Sequence, residues 1–258
     1  MLADRRTKIV ATIGPATKAR ENLRKAILAG LNVARLNFSH GTHEEHLKVI
    51  ALLKKVRTDL KVPLAIMLDT KGPEIRLRKI KDGQVYLPAG HLWKLVPHEL
   101  EGDANSVTLT PPSILEGLTV GQEILFDDGY VSCKVKELQS DGVVVEISNG
   151  GLIRSGKGVN IPDSSSHVSA VTEKDIEDIR FGCEQDVDLI AASFVRSAED
   201  VLVIKKLLDE CKKPEILVIA KIENKEGVLN FDSIVQVADG IIKIFFRKIG
   251  MRDSAFLS

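Results

Sequence analysis

Apolar, β-branched runs alternate with helically spaced apolar positions at both ends of the chain, and the middle has a different texture. Residues 8–13, 32–37 and 64–68 read as strands, and 21–29 and 44–56 as amphipathic helices, the first closed by Gly30. The strands are nearly continuous in apolar character, which predicts parallel strands covered on both faces. From about residue 72 to 162 the runs shorten, alternate, and are split by Gly, Asp and Pro, as at 106–110, 123–126, 130–135 and 143–147. Asp127, Asp128 and Gly129 between two of these runs have hairpin-turn chemistry. Helical and strand patterns then resume at 173–183, 189–192, 198–210, 216–222, 232–237 and 240–244. A βα array interrupted by a β module and then continued predicts an α/β fold, a (β/α) TIM-type barrel with an all-β lid domain inserted after the third strand. The expected boundaries are 1–71 and 163–243 for the barrel, 72–162 for the lid, and 244–258 for a divergent tail.

Composition narrows the partners. Lys plus Arg and Asp plus Glu number 36 each in 258 residues, so no global basic field argues for nucleic acid. The three cysteines, Cys133, Cys183 and Cys211, have no metal-ligand spacing and suit a reducing compartment. No run approaches the roughly 18 apolar residues of a membrane span. The opening MLADRRTKIVATIG lacks the apolar stretch of a signal peptide, so a cytoplasmic location is expected.

The chemistry lies at the strand ends. In a parallel barrel, polar residues at the C-terminal ends of strands face the site. Strand one runs into Thr12, Gly14 and Pro15; strand two contains Arg35 and ends in Asn37 and Ser39. Later strands end in Asp69 and Thr70, in Ser193, and in Lys221 and Glu223. Side chains alternate along a strand, so Arg35, Asn37 and Ser39 share a face, as do Lys221 and Glu223. Singly, each has a bland reading as a cap, turn residue or structural ion pair. Together, an Arg, a Lys, a Glu and an Asp in one mouth describe a site for a small anion and a hard metal. Phosphoryl transfer fits that inventory, and so does an enolate-forming lyase.

Seven segments resemble the pyruvate kinase family in order and spacing: TKIVATIGPAT (7–17), NVARLNFSHGTHEEH (32–46), LDTKGPEIR (68–76), NGGLIRSGKGVNIP (149–162), VTEKDIEDI (171–179), IAASFVRSAEDV (190–201) and ILVIAKIENKEGV (216–228). The resemblance implies transfer of a phosphoryl group from phosphoenolpyruvate to ADP, giving pyruvate and ATP. It further implies that Arg35 grips the phosphoryl group, that Lys221 neutralises its developing charge, and that Glu223 binds Mg²⁺ or Mn²⁺. Asn37, Ser39, Asp69 and Thr70 fall on the family's K⁺ site, and Glu74 matches the potassium-requiring members. Asn37, Arg76 and, from the lid, Lys157 fall on nucleotide contacts, and Asp128 on an acidic lid position. Family members are homotetramers.

After Gly240 the sequence reads IIKIFFRKIGMRDSAFLS, where the family continues into an A-R-G-D-L-G segment. The resemblance therefore implies a barrel incomplete at its C-terminus, without the second metal carboxylate and the amides that hold the substrate carboxylate. Arg252 and Asp253 match that segment only superficially. Little turnover is expected from such a chain alone. The readings are thus a pyruvate kinase, an inactive or partner-dependent fragment of one, and a carbon–carbon lyase of the enolpyruvate-forming barrel type.

Overall fold

The computed structural model describes residues 6–127, 129–162 and 171–243. Among the described residues two compact units emerge, one from residues 6–72 and 171–243, the other from 73–162. The first opens with strand β1 (Ile9–Thr12), helix α1 (Arg20–Leu28), β2 (Leu31–Asn37), α2 (His43–Leu60) and β3 (Ala65–Asp69). The chain then forms the second unit with β4 (Arg76–Leu77), β5 (Gln84–Leu87), β6 (Leu92–Val96), β7 (Ser106–Thr110), β8 (Glu123–Phe126), β9 (Val131–Gln139), β10 (Gly142–Ile147), β11 (Gly151–Arg154) and β12 (Val159–Asn160). It returns to the first through α3 (Glu173–Glu184), β13 (Leu189–Ala192), α4 (Ala198–Glu210), β14 (Leu217–Ile222), α5 (Lys225–Leu229), α6 (Phe231–Val237) and β15 (Gly240–Lys243).

In the first unit, six parallel strands pair in the order β1-β2-β3-β13-β14-β15, the sequence of staves in a (β/α) barrel. One face of these strands makes the core with the helices. Ala34, Leu36, Ile66, Leu68, Ile190, Val218, Ala220 and Ile222 pack there with Leu23 and Ile27 of α1, Ile50 and Leu53 of α2, and Ile204 and Leu208 of α4. The opposite face carries Arg35, Asn37, Asp69 and Lys221, because alternate side chains point away from the helices. Strand β1 departs from the expectation of cover on both faces. Among the described residues β1 and β15 each pair on one side only, and Ile9 and Val10 are each 47% exposed.

The second unit is all-β apart from short 3₁₀ turns. Seven strands pair in the order β12-β8-β9-β10-β6-β7-β4, and β11 pairs with β5. Trp93 and Phe126 meet edge-on, 5.6 Å between centroids, at the centre of its own core, with Leu95, Leu109, Ile124 and Val145 around them. β8 and β9 pair antiparallel across the Asp127–Tyr130 connection. Asp128 in that turn, and the tail from 244 with Arg252 and Asp253, lie outside the described residues.

Candidate active site

At the C-terminal ends of β2, β3, β13 and β14 a set of polar side chains converges around one carboxylate. Asp69 is 1% exposed. Its Oδ2 accepts from Arg35 Nε at 2.5 Å and ion-pairs with Arg35 Nη2; its Oδ1 accepts from Lys221 Nζ at 3.1 Å. Arg35 Nη1 also donates to Thr12 Oγ1 of β1 at 2.5 Å. Lys221 reaches Ser193 Oγ at 2.9 Å and Glu223 Oε1 at 3.2 Å, and the Ser193 hydroxyl donates onward to the Thr70 carbonyl at 2.6 Å. Each buried charge thus has a partner, which is the condition for holding it out of water.

Backbone geometry sets these side chains. Parallel register puts Asn37 beside Asp69. Phe194, after β13, takes φ +56°, a left-handed conformation that costs a non-glycine residue about 1 kcal/mol or more. Its N–H donates to Glu223 Oε2 at 2.9 Å, which leaves Glu223 Oε1 turned toward Lys221. Gly72 (φ +68°) packs on this turn, where an added Cβ would lie 2.8 Å from the Phe194 ring and 3.0 Å from Ser193 Cβ. The β2–α2 loop is braced too. Asn37 Oδ1 accepts from Ser39 N at 3.1 Å, and Phe38 N donates to the Asp69 carbonyl at 3.0 Å.

Arg35, Asn37, Ser39, Asp69, Thr70, Lys221 and Glu223 therefore all belong to one end of the first unit's sheet. Arg76 and Lys157 belong to the second unit, where Leu77 N donates to the Lys157 carbonyl at 2.9 Å and Arg76 Nη1 to the Gly156 carbonyl at 2.7 Å. Arg76 also pairs with Glu74 at 2.5 Å, and this bond raises the guanidinium pKa above its ordinary value. Lys157 Nζ lies 3.0 Å from Asp127 Oδ1. Two features escaped the sequence. Ser193 is the hydrogen-bond junction between Lys221 and Thr70, and Thr12 is a second partner of Arg35; both were visible only as polar strand ends.

Donor chemistry bears on metals. Glu223 offers one carboxylate oxygen beside a cation-lined mouth, which suits Mg²⁺, an ion that keeps water ligands and takes one or two carboxylates plus substrate phosphate. Asn37, Ser39, Asp69 and Thr70 each carry a side-chain oxygen, the donor type that suits a hard cation. No group of three or more His, Cys, Asp and Glu ligands occurs among the described residues, so a zinc-type centre does not form from them.

A family model, "Pyruvate kinase, barrel domain", matches residues 4–246. The chain belongs to the pyruvate kinase family. The pyruvate kinase of Chlamydia trachomatis is 48% identical over 238 residues, 92% of this chain and 49% of that protein. Those of Staphylococcus epidermidis and Geobacillus stearothermophilus are each 45% identical over 240 residues, 92% of this chain and 41% of theirs. The chain thus spans about half or less of the length of these curated relatives. Nothing in the site favours the lyase reading, and membership in the pyruvate kinase family replaces it.

Proposed function

We propose that the protein transfers the phosphoryl group of phosphoenolpyruvate to ADP, in the last step of glycolysis and in the cytoplasm. The observation that carries this reading is the pairing of both Arg35 and Lys221 with the buried carboxylate of Asp69, with Glu223 alongside. The P–O bond to the enol oxygen breaks, a bond from the ADP β-phosphate oxygen forms, and the enolate takes up one proton to give pyruvate. Arg35, the more exposed of the two cations, exchanges part of its contact with Asp69 for the phosphoryl oxygens. Lys221, fixed by Asp69, Ser193 and Glu223, meets the charge that builds as the phosphoryl group moves. Glu223 would hold Mg²⁺ or Mn²⁺, which would add charge neutralisation when bound, and Asn37, Ser39, Asp69 and Thr70 would hold K⁺. Arg76, Lys157 and Asn37 serve the nucleotide, with the second unit acting as a lid that keeps water from competing with ADP. The lid domain is taken as residues 72–162, and assembly as a homotetramer follows the resemblance. No helix of the described residues is long and apolar enough to cross a membrane.

A coupled assay for pyruvate tests the proposal. Lys221→Met should lower kcat by about 10³-fold, on the order of 4 kcal/mol of transition-state stabilisation, and Arg35→Ala should act similarly. Chelating Mg²⁺, or replacing K⁺ by choline, should abolish turnover. Pyruvate formation indifferent to Lys221→Met would refute the assignment. A second reading, a chain active only with a partner, is favoured by the exposed Ile9 and Val10 on the one-sided edge strand β1. Turnover that appears only when a pyruvate kinase subunit is added would select it.

A further inference from the structure

The first two turns of α3 bring to the region a further buried carboxylate, that of Asp178, which the phosphoryl-transfer machinery does not use. Asp178 is fully buried. Its Oδ1 lies 2.7 Å from His43 Nε2, on the first residue of α2, and its Oδ2 accepts from Lys174 Nζ at 2.5 Å. Lys174 also donates to the Phe38 carbonyl at 3.1 Å. Phe38 stands between Asn37 and Ser39, and its ring is buried and stacked on His46 at 3.9 Å. His43 is itself stacked on Phe181 of α3 at 4.4 Å. The β2–α2 loop is therefore tied to α3 at its start, through Lys174 and the Phe38 carbonyl, and at its end, through His43. Both ties meet on one carboxylate. Moving the loop off α3 would strip a buried carboxylate of its partners, which is strongly unfavourable.

We propose that Asp178 is a positioning residue for the loop carrying Asn37 and Ser39, so that α3 holds the oxygen donors of the monovalent-cation site in their binding arrangement. This rests on the reading of Asn37 and Ser39 as K⁺ ligands. A mere structural ion pair would need neither the contact with Phe38 nor convergence of both ends of the loop on one group.

Amide hydrogen exchange, read without substrate, gives the first arm of the test, using Asp178→Asn and the milder Lys174→Met, whose side chain is 46% exposed. Exchange in peptides spanning residues 37–46 should rise at least about tenfold while peptides of α4 stay unchanged. The second arm titrates K⁺ in the pyruvate assay. The half-activating concentration should rise about fivefold, with kcat at saturating K⁺ within about twofold of the parent. Unchanged exchange at 37–46 in Lys174→Met overturns the proposal, as does an unaltered K⁺ requirement despite faster exchange. Absence of turnover in the parent, with the exchange effect intact, counts against phosphoryl transfer and not against the clamp.

Discussion

Ser193 illustrates how one small side chain holds a charged site together. Its hydroxyl accepts from Lys221 and donates to the Thr70 carbonyl, so it joins β14 to the end of β3 through β13. Ser193→Ala should leave that carbonyl unsatisfied, lowering stability by about 1–3 kcal/mol and releasing Lys221 from one of its three partners. Urea unfolding checks the first effect; a fall in kcat exceeding the change in KM checks the second. His46 offers a test in pH. Burial pushes its pKa below the ordinary value, a shift opposed by its bond to the His40 carbonyl and by the charges of Asp178 and Glu45. The unfolded chain then binds the proton more readily, so this residue's contribution to stability is full above about pH 6.5 and is lost as pH falls toward the depressed value. Denaturant titrations should show the advantage of the parent over His46→Gln shrinking from pH 7.5 to 5.5. An advantage that grows on acidification would contradict the burial argument.

Helix α2 is the element on which much of the site's geometry turns. Thr42 caps it with a reciprocal box: its hydroxyl accepts from Glu45 N at 3.3 Å, and Glu45 Oε2 accepts from Thr42 N at 3.0 Å. Thr42→Ala should cost about 1 kcal/mol, a fall in Tm of about 2–4 °C by calorimetry. The sequence placed this helix at 44–56, whereas it runs from His43 to Leu60. Its last turn is polar at Arg57, Thr58 and Asp59 and so has no apolar period; Arg57 is held instead by the Leu64 carbonyl at 3.0 Å and by Asp188 at 2.9 Å. Helix α5 was missed because Gly227 argues against helix, yet a Cβ there would lie 2.5 Å from the Val195 carbonyl. Close packing chose the glycine, and Asn224, accepting from Gly227 N at 2.7 Å, caps the turn. Strand ends were legible because polar residues interrupt apolar runs. The role of Asp178 was not, since its partner His43 is 135 positions away and nothing local marks the pair.

At the scale of the molecule, the parallel order of strands followed from the repeated strand–helix rhythm, while the open edges follow from pairing. Among the described residues β1 pairs on one side only, and its exposed Ile9 and Val10 add apolar side chains to that edge, a template for adding another strand. Val10→Lys should reduce self-association, seen as a smaller sedimentation coefficient or slower rise in light scattering at equal concentration. An unchanged profile would mean that β1 is not the adhesive edge. The interleaving of the two units also has a consequence for how the chain folds. Ile66 N donates to Asp188 Oδ2 at 2.7 Å across 122 positions, and β13 docks in register against β3 at the same separation. Closing so long a loop is entropically slow, and the cost falls when the intervening chain is already compact. The second unit has its own core, and its strands pair with one another across far shorter separations, so it can condense first during synthesis and draw the two halves of the parallel sheet together. A substitution that loosens the Trp93–Phe126 contact would then slow assembly of a site to which neither residue belongs.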